Sequence, residues 1–82
     1  MKPIRYTRHA EVAMREREIP ADWVERALRA PQADEGDPND TALRRAFLSI
    51  PERDGRMLRV VYAEEIDGLR VITVFLDRGR SR

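Results

Sequence analysis

The stretch Met57-Leu-Arg-Val-Val-Tyr-Ala-Glu-Glu-Ile-Asp-Gly-Leu-Arg-Val-Ile-Thr-Val-Phe-Leu76 holds two runs rich in Val, Ile, Tyr, Thr and Phe, joined by Glu-Glu-Ile-Asp-Gly. Such residues fit a pleated, half-buried surface. Asp67-Gly68 supplies the positive-φ positions of a tight reversal, so the stretch reads as one antiparallel hairpin. In its second strand, strict alternation puts Leu69, Val71, Thr73 and Phe75 on one face and Ile72, Val74 and Leu76 on the other. Both faces are then apolar at the middle, and something must cover each.

Upstream, Leu43 to Ile50 gives a third strand in which Ala46, Leu48 and Ile50 share a face, and Pro51-Glu-Arg-Asp-Gly-Arg56 turns it into the hairpin. Residues 32–41 carry four acids, a Gly, a Pro and an Asn with no apolar run, and read as an exposed loop without calcium-loop spacing. Two helices precede them. Thr7 is placed to cap the first, Arg8 to Glu18, whose stripe Ala10, Ala13, Met14 and Arg17 puts an arginine on the core-facing side. Pro20 breaks it, and a second helix runs from Ala21 to Ala30 with Trp23, Val24, Ala27 and Leu28 on one side; Ile19 and Val24 have the spacing of a hydrophobic staple. Pro3-Ile-Arg-Tyr6 alternates and adds a short edge strand, while the polar tail from Asp77 to Arg82 is expected to fray.

This is an α+β layout, β-α-α-β-β-β, with two N-terminal helices packed on one face of a three- to four-stranded antiparallel sheet. Trp23, Val24 and Leu28, with Ala10 and Met14, are expected to pack on Val60, Tyr62, Val71 and Phe75. The other face needs charged stems, the tail or a second chain, which makes a homodimer or a partner complex the expectation.

With 82 residues, the chain forms one domain near the lower limit for a single core. It has no cysteine, which removes disulfides and thiolate chemistry together. No run approaches the ~20 apolar residues of a membrane span and the N-terminus lacks a signal peptide's apolar core, so a cytoplasmic location is expected. Sixteen basic against fifteen acidic residues leave a net charge of +1, so any nucleic-acid contact must rest on local clustering. Gly-rich phosphate loops, Gly-x-Ser-x-Gly and His-Glu-x-x-His are all missing. No metal or other cofactor is expected.

Four kinds of residue remain as candidates. His9, the single histidine, lies at a helix N-terminus, where the dipole disfavours the imidazolium and keeps a proton acceptor available; the alternative is a surface side chain. Arg17 interrupts an apolar stripe and must snorkel, pair with a carboxylate or face a cleft. Arg45 and Arg59 alternate with apolar strand neighbours, as phosphate-binding cations or as solvated ones. Thr73 is a ligand contact or simply a β-branched strand residue. Helix geometry sets Arg17 about 12 Å along the axis from His9, so the two would flank a site and not touch.

Tyr6-Thr7-x-His9-Ala10, Met14-x-Glu16-Arg17-x-Ile19, a helix ending at Pro31 and the closing Val71-Ile72-Thr73-Val74-Phe75 resemble the bacterial "domain of unknown function 4258" family over nearly the whole chain. That family is thought to be related to RelE-like toxins within the barnase, EndoU, colicin and RelE group of ribonuclease folds. The resemblance implies a metal-independent endoribonuclease or the toxin half of a toxin–antitoxin pair. RNA and an antitoxin are then the implied partners, and a non-catalytic protein-interaction module with the same fold is the alternative. His9 and Arg17 carry over as catalytic positions, with Arg45, Arg59 and Thr73 as substrate contacts. Ala13 stands where the family commonly has an arginine, and Glu18 where it commonly has a glycine.

Overall fold

The hairpin is present as the two longest strands of the sheet, β4 (Arg56–Glu65) and β5 (Gly68–Asp77), paired antiparallel from Glu65↔Gly68 to Met57↔Asp77. The computed structural model describes residues 2–77. Ahead of the hairpin come β1 (Ile4–Tyr6), α1 (Arg8–Glu16), α2 (Ala21–Arg29), β2 (Ala33–Gly36), β3 (Arg44–Ile50) and a 3-10 turn at Pro51–Arg53. The strands form one five-stranded sheet, ordered β1-β5-β4-β3-β2. The architecture is α+β, but the sheet is neither three- to four-stranded nor wholly antiparallel. β1, the first strand, lies parallel to β5, the last; β2 to β5 pair antiparallel.

The additional strand is β2, built from residues the composition assigns to a loop. Asp34 and Glu35 have little strand propensity, yet β2 pairs along β3 with Glu35 opposite Arg45 and Gly36 opposite Arg44. Cross-strand charge pairing stabilises the segment: Glu35 meets Arg45 at 2.8 Å and Asp34 meets Arg44 at 3.2 Å. Tyr62 also donates to both Asp34 oxygens at 2.9 Å.

A β-bulge rearranges the faces of β5. Val61 pairs with Thr73 and Tyr62 with Val71, leaving Ile72 as the extra residue. One inserted residue exchanges the two faces beyond it. Leu69, Val71 and Val74 therefore all enter the helix-side core, with Leu76 packed against it. Thr73 and Phe75 turn to the opposite face, which removes Phe75 from its expected place under the helices. The helix-side core otherwise contains Trp23, Val24 and Ala10 with Val60, Tyr62 and Val71, and Met14 and Leu28 pack against it.

Thr7 ties α1 to the bulge. Its hydroxyl accepts from the Ala10 N–H at 3.0 Å and donates to the Ile72 carbonyl at 3.1 Å. α1 ends two residues before the sequence pattern does. Ile19 N–H donates to Met14 O at 2.9 Å and Glu18 N–H to Arg15 O at 3.3 Å, a Schellman pair in which Glu18 takes the left-handed position at φ 54°. Arg17 is consequently the exposed C-cap and no longer part of the buried stripe. Ile19 and Val24 are 3% and 0% exposed on either side of the Pro20 cap, as a staple requires.

Gly68 serves a purpose other than the expected one. Among the described residues the positive-φ positions are Glu18, Asp54 and Gly55, and Gly68 is not one of them. A Cβ on Gly68 would stand 2.6 Å from the Pro3 carbonyl oxygen, which accepts from Leu69 N–H at 2.8 Å. Glycine is needed there for the close approach of β1. Of the tail expected to fray, Asp77 belongs to β5 and 78–82 lie outside the described residues.

Candidate functional site

The five candidate residues divide between the two sides of the sheet. His9 is exposed in the first turn of α1, and Arg17 is exposed at the other end of that helix. Arg45, Arg59 and Thr73 project from the face opposite the helices. There Phe47, Arg59 and Phe75 lie side by side across β3, β4 and β5, with Arg45, Val61 and Thr73 as the neighbouring row. The Arg59 guanidinium is 5.6 Å from the Phe47 ring centre and 4.6 Å from that of Phe75, and Arg45 is 5.7 Å from Phe47. Both arginines are also tied to carboxylates, Arg45 to Glu35 and Arg59 to Asp77 through two nitrogens. Thr73 is half-buried in its strand. These three residues are therefore part of the cover on the sheet's second face and do not meet His9.

Arg17 instead belongs to a different grouping. A hollow of about 340 Å³ is lined by Arg17, Arg53 and Arg56, with Glu16, Glu18, Phe75 and Leu76. Three chain segments bring its arginines, and β5 adds Phe75 and Leu76. The C-cap of α1 brings Arg17, the 3-10 turn brings Arg53, and the left-handed pair Asp54 and Gly55, φ 56° and 75°, swings the chain round so that Arg56 opens β4 beside them. The Arg53 guanidinium donates to the Glu18 carbonyl at 3.4 Å and lies 5.9 Å from the Trp23 ring, so it is held in place. Among the described residues, Arg17, Arg53 and Arg56 have no carboxylate partner, whereas Arg5, Arg26, Arg29, Arg44, Arg45, Arg59 and Arg70 each have at least one. Arg8 and Arg15, elsewhere on α1, also form no ion pair, so what distinguishes this hollow is that three such arginines line one space, together with Glu16 and Glu18.

Glu18 lines the hollow in a position that is costly for it. A left-handed φ costs an L-residue other than Gly about 1 to 2 kcal/mol. An acidic side chain at a helix C-terminus adds an unfavourable dipole term of about 0.3 to 1 kcal/mol.

Elsewhere the titrating groups are structural. Burial pushes the Tyr62 phenol above its usual range, with its bond to Asp34 adding to the effect and Arg44 opposing it. Burial also raises Tyr6, helped by the Glu25 charge. Arg5, followed by Arg70, holds Glu65 below the ordinary carboxylate range, and Arg26 does the same for Glu52. Among the described residues no three His, Cys, Asp or Glu side chains gather as metal ligands, and no helix is long and apolar enough to cross a membrane.

Arg53 and Arg56 do not stand out in the sequence because they fall in Pro51-Glu-Arg-Asp-Gly-Arg56, a stretch whose Pro, Asp and Gly explain it fully as a turn. Their only signal is two arginines with a spacing of three across a glycine. Fold and hollow together define a small α+β domain with an arginine-lined hollow at one end of its sheet. The family model "Domain of unknown function (DUF4258)" matches residues 6–76, and the chain belongs to that family. No curated protein and no solved structure matches it.

Proposed function

We propose that this chain is a metal-independent endoribonuclease of RelE-like type whose phosphate-binding subsite is the hollow of Arg17, Arg53 and Arg56. The supporting observation is the convergence of three guanidinium groups without carboxylate partners. Planar guanidinium forks suit phosphate oxygens, and cleavage through a phosphorane needs positive charge where negative charge develops. Phe75 on the wall offers an aromatic surface beside them. Two sources of proton acceptor lie on the same helix and its cap: His9 at the far end, and the carboxylates on the rim of the hollow.

Induced expression in a bacterial host, scored for growth arrest and messenger RNA decay, tests the reading together with cleavage by purified protein. Arg17→Ala, Arg53→Ala and Arg56→Ala should each lower cleavage by ~10² to 10³ and reduce the salt slope of RNA binding by about one. Parental protein that leaves RNA intact, with and without ribosomes and magnesium, would overturn it. A second reading, a non-catalytic module that binds a protein, is favoured by the position of His9, the only imidazole, away from the hollow. Intact RNA with stoichiometric capture of one protein partner would support that reading.

A further inference from the structure

Glu18 is the one residue of the hollow whose backbone is in an unfavourable region, and helix termination does not require it to be a glutamate. The left-handed position of a Schellman motif is best filled by glycine, and the negative end of α1 disfavours an acid. Glu16 also lines the hollow, but it sits in ordinary helical geometry at the end of α1. A left-handed glutamate beside three arginines that form no ion pair is an outlier from which a functional role can be inferred.

We propose that Glu18 is the proton acceptor of the hollow. The assignment rests on the ribonuclease reading above. With a ribose–phosphate backbone seated against Arg17, Arg53 and Arg56, the Glu18 carboxylate takes the proton of the 2′-hydroxyl. The 2′-oxygen then attacks phosphorus, forming the P–O2′ bond while the P–O5′ bond breaks. The arginines hold the charge of the phosphorane, and the 5′-oxygen leaves with a proton from water as Glu18 returns its own to solvent. The products are a 2′,3′-cyclic phosphate and a 5′-hydroxyl, and the reaction consumes no further reagent. Arg53 acts as a positioning residue as well, since its bond to the Glu18 carbonyl fixes the backbone from which the carboxylate extends.

The test uses Glu18→Gln and Glu18→Gly on the full chain with a single-stranded RNA oligonucleotide. Glu18→Gln keeps the side-chain shape and should cut the cleavage rate ~10²- to 10⁴-fold with the salt slope of binding unchanged. Glu18→Gly should lose cleavage equally while its melting temperature rises by several degrees, because the strain is relieved. Parental cleavage by Glu18→Gln overturns this assignment and leaves the ribonuclease reading standing. An inactive parent overturns both.

Discussion

On the helix side of the sheet, Ala10, Ala13, Val24 and Ala27 lie against Ala46, Ile50, Leu58, Val60, Val71 and Val74, all at 1% exposure or less. On the other side Phe47 is also only 1% exposed, and the guanidinium ends of Arg45 and Arg59 are among the groups over its ring. One face is closed by hydrocarbon from two helices, and aliphatic stems with paired charges lie across the other. Met57, Val61 and Ala63, at 4%, 8% and 7% exposure, are likewise buried within the single chain. An arginine alternating with apolar residues in a strand can therefore lie over its neighbours as cover and need not be a ligand contact.

The largest effect should come from the helix side. Trp23→Ala is expected to lose about 3 to 5 kcal/mol, a large part of what an 82-residue domain has, and equilibrium denaturation would show it mostly unfolded. If the second face is a true core, Phe47→Ala should lose about 3 kcal/mol by the same measurement; a loss below about 1 would show that face to be only loosely closed. Arg59→Ala should lose about 1 to 2 kcal/mol through two ring contacts, and Arg59→Met, which keeps an apolar stem, should lose less. Equal losses in the two variants would mean that charge, not cover, is the contribution of Arg59.

Smaller effects test the ion pairs that fasten the sheet's margins. Tyr62→Phe removes the donor to Asp34 and should lose about 1 kcal/mol. Because the folded Tyr62 phenol is raised, its contribution is whole below pH ~10 and is lost as pH rises through the folded value. In the variant that alkaline loss should flatten in a thermal-melt series. Glu65 and Glu52 have the opposite sign. Their folded pKa values are lowered, so their contribution is present above pH ~4.3 and is lost as pH falls through the folded values. Melting temperature should fall on acidification, less steeply in Glu65→Gln and less steeply at high salt.

Where a property depends on local geometry, the sequence by itself determined it. The hairpin, the strand of Ala46, Leu48 and Ile50, the Thr7 cap, the Ile19–Val24 staple and the two apolar helix stripes all follow from side-chain periodicity and from the conformations Thr and Pro allow. Each involves residues only a few positions apart, or one repeating pattern. Family membership was legible for the same reason, since it rests on short motifs in order. The extra strand, the bulge and the arginine hollow were decided only by the tertiary structure. Asp34 and Glu35 become a strand because Arg44, Arg45 and Tyr62 are beside them, a contact between segments that composition cannot report. Ile72 becomes the bulged residue within an unbroken β-rich run, where nothing marks one residue as extra, and that single slip sends Phe75 to the wall of the hollow. Arg17, Arg53 and Arg56 are separated by up to 39 positions in the chain and meet only because a helix end, a turn and a strand start converge at one end of the sheet.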